Sequence, residues 1–144
     1  MAARTANALW EGSLQEGSGQ MSLGSGAFEG AYTFKSRFGE EDTGTNPEEL
    51  VAAAHAGCFT MALSLVLTDA GNPPESLQSQ AKVTLRNVDG APTITKIALT
   101  TRARVPGMDE EAFQKAANAA KEGCVVSRAL AGVEEITLDA ALES

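Results

Sequence analysis

Cys58 and Cys124 are the only thiols in this chain of 144 residues, and each stands in a local sequence that a purely structural cysteine would not require. Cys58 lies in Val51-Ala-Ala-Ala-His-Ala-Gly-Cys58-Phe-Thr-Met-Ala-Leu-Ser-Leu-Val-Leu67, a run of small and apolar residues that reads as one buried helix. Cys124 follows Lys121-Glu122-Gly123, where one helix ends and another turn begins. Such a pair can be inert core residues, a structural disulfide, or a redox couple in which one thiol is oxidised and the other resolves it. Their number leaves all three open. A thiol in the middle of an apolar helix has its pKa raised and is inert, so a reactive Cys58 needs a cation beside it. His55, three residues earlier, shares nearly the same helix face and permits a Cys/His nucleophile pair, although a core or interface histidine is the plainer reading. No metal is expected: His55, Cys58 and Cys124 are one soft ligand short of a tetrahedral set and lack zinc-type spacing.

The elements that must hold these residues follow from period and punctuation. Residues 1–38 alternate polar and apolar positions between many glycines, which suits a meander of three strands, Asn7–Glu11, Gln20–Leu23 and Ala31–Phe34. A polar, glycine-containing loop, Phe38–Thr45, leads to a strong helix start. Asn46 is an Asx cap, Pro47 takes the first helical position, and Glu48 and Glu49 sit where the helix dipole favours acids. Asn46 and Glu49 have capping-box spacing. This helix is expected over residues 46–70, stopped by Gly71 and Pro73-Pro74.

Alternation returns at Ser76, with Leu77, Ala81, Val83 and Leu85 on one face of a strand and Ile94, Ile97, Leu99 and Val105 in the next. Asn87-Val88-Asp89-Gly90 is the hairpin connection, because Asp-Gly supplies the positive backbone angles such turns need. A helix over Asp109–Lys121, acidic at its start and basic at its end, and a strand over Val133–Leu142 complete the chain.

Strands, helix, strands, helix, strand is a segregated order, which indicates a single α+β domain over residues 1–144. The 46–70 helix is apolar nearly all round and must be covered on all sides. One chain's small sheets can hardly wrap it, so a second subunit is the expected cover and the chain is expected to be a homodimer.

Charged residues at 21% and hydrophobic ones at 43% exclude disorder and collagen-like repetition. A net charge of −8, with 11 dispersed basic residues among 19 acids, argues against nucleic acid and against an anionic membrane surface. The apolar stretch 51–67 falls short of a membrane span and is interrupted by His55, Thr60 and Ser64. Met1–Trp10 has no continuous apolar stretch, so no secretory signal is expected and the cytoplasm is the expected compartment. There a permanent disulfide is uncommon, and two cysteines are more often free, catalytic or metal-binding.

Gly44-Thr-Asn-Pro-Glu-Glu-Leu50, then Ala53-Ala-His-Ala-Gly-Cys-Phe59, then Gly123-Cys124 with Val126-Ser127, form a specific set. With Trp10-Glu-Gly, Ile94-Thr-Lys-Ile-Ala-Leu99 and Ile136-Thr-Leu-Asp139, the chain resembles, over its whole length, the OsmC/Ohr family of thiol-dependent hydroperoxide reductases, closer to the OsmC branch. One departure is Val125, where relatives often have proline after the second cysteine.

The resemblance implies an OsmC-like fold, antiparallel sheets around a long buried central helix in an intertwined homodimer, with the active site at the subunit interface. It implies a peroxidase that reduces organic hydroperoxides and hydrogen peroxide. Cys58 attacks as the thiolate, Cys124 resolves the sulfenic acid as a disulfide, Arg37 in Lys35-Ser-Arg-Phe38 stabilises the charge, and Glu48 holds the arginine. Glu48 and Cys58 are about 15 Å apart along one helix at its 1.5 Å rise, so Glu48 would serve a partner's Cys58.

Phe34, Phe38, Phe59 and Met61 are candidates to wall a peroxide pocket, although most such side chains are core. Ser127 and Arg128 are read as capping and decorating the short helix after Cys124. No bound cofactor is implied, only an external dithiol reductant of the lipoyl type, supplied by a lipoylated protein. Two other readings keep the same residues: a non-enzymatic redox sensor, and a carrier of a small apolar ligand in the dimer cavity.

Overall fold

Residues 2–40 and 43–143 are described by the structure, a computed structural model. They fall into two compact units, Met1–Leu50 and Val51–Ser144. In the first, strands β1 (Ala6–Glu11), β2 (Ser18–Leu23) and β3 (Glu29–Tyr32) form the expected antiparallel meander, in that order. Gly19 of β2 faces Tyr32 and lies against Trp10, where a Cβ would collide with both rings. Its bareness lets the two aromatics meet edge to face at 5.3 Å.

The third strand stops earlier than expected. Thr33 is the N-cap of a short helix, α1 (Phe34–Phe38), so Phe34 is helical rather than extended. The cause is a reciprocal capping box: the Ser36 N–H donates to Thr33 Oγ1 at 3.1 Å and the Thr33 N–H to Ser36 Oγ at 2.8 Å. In the loop that follows, expected over Phe38–Thr45, residues 41 and 42 lie outside the described ones.

Helix α2 (Pro47–Asp69) begins as its sequence dictates, with the Glu49 N–H donating to Asn46 Oδ1 at 2.8 Å. The return half of the expected box is not made, because the Glu49 carboxylate accepts from Thr45 Oγ1 at 2.9 Å instead. The helix ends in a Schellman turn. Gly71 takes φ +87°, the Asn72 N–H donates to the Leu67 carbonyl at 2.9 Å, and the Gly71 N–H donates to that of Thr68 at 3.0 Å.

In the second unit β4 (Ser76–Val88) and β5 (Ala91–Arg104) form a long antiparallel hairpin. Asp89 and Gly90 both take positive φ at its tip, as the Asp-Gly pair requires. Helices α3 (Glu110–Gly123) and α4 (Val125–Ala129) then lead to β6 (Glu135–Leu142). β6 pairs with β5 in parallel, Ile97 beside Ile136 and Leu99 beside Leu138, so this sheet is mixed rather than antiparallel. The helical crossover allows it, since α3 and α4 span the return that a parallel neighbour needs and a tight hairpin cannot supply.

The core of this unit joins three elements. β5 buries Ile97, Leu99 and Ala103, α3 buries Phe113, Ala117 and Ala120, and α2 buries Phe59, Leu63 and Leu67. Each fully buried large side chain contributes about 1.5–3 kcal/mol. Along α2 the buried positions, His55, Phe59, Leu63 and Leu67, recur at every fourth residue and so form one stripe. Away from it Met61 is 76% and Leu65 62% exposed, so within one chain the helix is buried along a stripe and not all round. By length and composition alone α2 could also cross a bilayer, but its stripe is occupied by the core of this unit.

Candidate active site

In the first unit the capping box does more than end β3. Ser36 is buried, its hydroxyl lies 2.9 Å from the Thr45 carbonyl, and Asn46 Nδ2 donates to the Ser36 carbonyl at 2.9 Å. These bonds tie α1 to the residues that start α2, which brings Arg37 of α1 against Glu48 in the first turn of α2. Arg37 Nη2 donates to Glu48 Oε1 at 2.8 Å, and its Nε lies 3.2 Å from both carboxylate oxygens. This is a fork on a carboxylate, a geometry that fixes orientation as well as charge. The Arg37 guanidinium also stands 5.1 Å from the centroid of the Phe38 ring.

A cavity of about 380 Å³ opens beside this pair. Trp10, Tyr32, Phe34, Arg37 and Phe38 line it, with the rings of Phe34 and Phe38 brought 5.1 Å apart, tilted at 49°, by their four-residue spacing on α1. Two of the residues expected to wall a pocket, Phe34 and Phe38, thus share it with Arg37. Trp10 and Tyr32 join them from β1 and β3, and neither was singled out as a lining residue. Of the other two, Phe59 is fully buried in the core of the second unit, and Met61 stands exposed on α2.

The second unit holds both cysteines. The Cys124 N–H closes α3 by donating to the Ala120 carbonyl at 2.9 Å, while its Sγ caps α4 by accepting from the Ser127 N–H at 3.5 Å. Cys58, half-buried on α2, packs against the core cluster that contains Cys124, and both thiols are free. Burial, at 1% exposure, pushes the Cys124 thiol up. The bonds from the Ser127 N–H, the Cys58 side chain, the Ser127 side chain and the Val126 N–H together outweigh it and bring the thiol below its ordinary value.

Ser127 does not cap α4 as the sequence suggested, since Cys124 does. Its hydroxyl instead meets His55 Nε2 at 2.7 Å. His55 is fully buried, burial pushes its imidazole below the ordinary value, and its Nδ1 has no partner among the described residues. The core reading of His55 therefore holds, with a polar partner 72 residues away that no local pattern announced. Among the described residues no group of three or more His, Cys, Asp and Glu side chains is arranged to hold a metal.

A cation on a carboxylate beside an aromatic cavity can orient a small polar oxygen compound. Two thiols in one core cluster can give up two electrons and two protons to an oxidant and become a disulfide.

Comparison with known proteins agrees in sequence and in fold. The profile of a family described as OsmC-like protein matches residues 39–139. Peroxiredoxin OsmC of Escherichia coli is 49% identical over 138 residues, covering 95% of this chain and 94% of that protein. Organic hydroperoxide resistance protein OhrB of Bacillus subtilis is 35% identical over 101 residues, 69% of this chain and 72% of its own length. The crystal structure of that OhrB superimposes with a TM-score of 0.69, covering 96% of this chain and 98% of the other.

Proposed function

The chain belongs to the OsmC-like protein family, and on that premise we propose that it is a thiol-dependent peroxidase that reduces small hydroperoxides, organic ones included, at Cys58. The observation that carries this reading is that Cys58 packs against the same core that buries Cys124, whose sulfur accepts the Ser127 N–H at 3.5 Å.

In the proposed reaction the Cys58 thiolate attacks the distal peroxide oxygen, the O–O bond breaks, and the alcohol departs with a proton. The sulfenic acid on Cys58 is then attacked by Cys124, forming the disulfide and releasing water. An external dithiol of the lipoyl type, carried by a lipoylated protein, reopens it by thiol–disulfide exchange. The protein holds no resident cofactor in this scheme, because the thiol pair stores both electrons.

Arg37 stabilises the charge that develops on the peroxide oxygen and Glu48 fixes its orientation. Glu48 is about 15 Å along α2 from Cys58, by helix rise. Since Arg37 and Glu48 are clamped together, the pair acts as one piece and serves the Cys58 of a second copy in a homodimer. The aromatic cavity around Phe34, Phe38, Trp10 and Tyr32 accepts the organic part of the peroxide. The protein is soluble, and the cytoplasm suits two free thiols.

Steady-state consumption of cumene hydroperoxide with dihydrolipoamide as donor tests the proposal. The wild type turns over, Cys58→Ser abolishes consumption, and Cys124→Ser stalls with Cys58 overoxidised. Consumption that survives Cys58→Ser would refute it.

A further inference from the structure

Resting on that reading of the two cysteines, we propose that His55 and Ser127 are positioning residues for the resolving thiol. A directed hydrogen-bond chain from the His55 imidazole through the Ser127 hydroxyl holds Cys124 Sγ aligned and thiolate-ready, both when the disulfide closes and when it reopens.

The chain begins with a tautomer. His55 Nε2 and Ser127 Oγ are 2.7 Å apart, in a place where His55 is 0% and Ser127 9% exposed, and Nδ1 has no partner among the described residues. A buried N–H without an acceptor is rarer and costlier than a bare acceptor, so the imidazole proton resides on Nε2 and is donated to Ser127. The serine oxygen then has one lone pair occupied from the histidine side, and its own proton points onward. Cys124 Sγ already accepts the Ser127 backbone N–H at 3.5 Å. In the proposed chain the Ser127 hydroxyl is a second donor to the same sulfur, in keeping with the direction in which that thiol is shifted.

Without His55 this order would not persist. A serine near a helix start readily turns its hydroxyl to a neighbouring carbonyl, and that alternative satisfies the serine while leaving the sulfur with fewer donors. The histidine donor selects the other rotamer. His55 and Ser127 each stand three residues from a cysteine, and their bond links the two cysteine-bearing segments through the core. A pair of small apolar side chains would fill the same space without burying two polar groups.

The consequence falls on two steps. In closure, the electron pair of the Cys124 thiolate forms the S–S bond to Cys58, the S–O bond of the sulfenic acid breaks, and hydroxide leaves as water with a proton from solvent. In reopening, the external thiolate bonds Cys58 Sγ and Cys124 departs as the thiolate. Hydrogen bonds that favour the thiolate speed its departure and raise the fraction able to attack.

The test separates attack from closure. Reduced protein is mixed with cumene hydroperoxide in a single turnover, with sulfenic acid trapped by dimedone and closure followed as loss of free thiol. Ser127→Ala is expected to slow closure relative to attack about tenfold, the effect of removing one hydrogen bond to a charged group, and to leave more Cys58 trapped. Ser127→Thr, which keeps hydroxyl and N–H, restores the wild-type ratio, as a loss of packing would not.

A second readout needs no peroxide. In a Cys58→Ser background the ultraviolet thiolate absorbance of Cys124 titrates at higher pH once Ser127→Ala is added. A wild type that consumes no hydroperoxide removes the functional reading. A wild type that turns over while Ser127→Ala closes at the unchanged ratio, or an unmoved Cys124 titration, overturns this proposal alone.

Discussion

At Arg37 the shape of the guanidinium matters as much as its charge. Nε and Nη2 are both turned to Glu48, which sets the plane of the group and the direction in which its remaining N–H groups face. Lysine supplies the charge without the fork. Arg37→Lys is therefore expected to lower kcat/KM for hydroperoxides by about 10²–10³, the range seen when one preorganised donor is lost, in steady-state assays. A lysine variant near wild type would show that charge alone suffices.

His55, the sole histidine, makes a second prediction at this scale. Its folded pKa is depressed by burial, so as pH falls below about 6.5 the unfolded chain takes up a proton that the folded chain refuses. Stability is whole above that pH and declines as pH falls toward the folded value. Denaturant midpoints should drop on acidification before the carboxylates titrate, and His55→Gln should flatten that first decline. Neither the Ser127 partner nor the tautomer was readable from the sequence, because the contact joins residues 72 apart and leaves no periodic trace.

Elements with local signals were readable, and elements built by tertiary choice were not. Asn46, Pro47 and Gly71 marked α2 to within a residue at each end, and Asp89-Gly90 marked the hairpin, because caps and positive-φ turns are decided by a few adjacent residues. The short helix α1 escaped notice: Tyr32-Thr33-Phe34 alternates like a strand, and only the Thr33–Ser36 box turns it. The parallel pairing of β6 also escaped, since a period of two looks the same in either direction. Both cysteines stood out by their number and local sequence, Arg37 and Glu48 came from motif resemblance, and Phe34 and Phe38 were candidates to wall a pocket; none came from periodicity. Ser36→Ala tests the role given to α1. It should cost about 1 kcal/mol by chemical denaturation, as the loss of a cap does, and should also lower kcat/KM, since α1 presents Arg37. Full activity at reduced stability would detach the helix from the site.

The whole molecule has one feature a single chain leaves unfinished. Met61 and Leu65 stand exposed on α2, on a helix whose opposite stripe is already core. Burying each against a second copy would contribute about 1.5–3 kcal/mol. Sedimentation should give a dimer for the wild type and a monomer for Met61→Lys/Leu65→Lys, with peroxidase activity lost alongside. Co-expressed Glu48→Ala and Cys58→Ser chains should recover activity in the heterodimer, since one site then combines an intact Arg37–Glu48 pair with an intact Cys58. Inactivity there would place the pair and the thiol in the same chain.

Beneath all of this lies the two-thiol reaction itself, which peptide mapping after one equivalent of cumene hydroperoxide, without added reductant, reads most directly. A Cys58–Cys124 disulfide and one equivalent of cumyl alcohol are the predicted products. Two thiols still reduced beside unconsumed peroxide would contradict it.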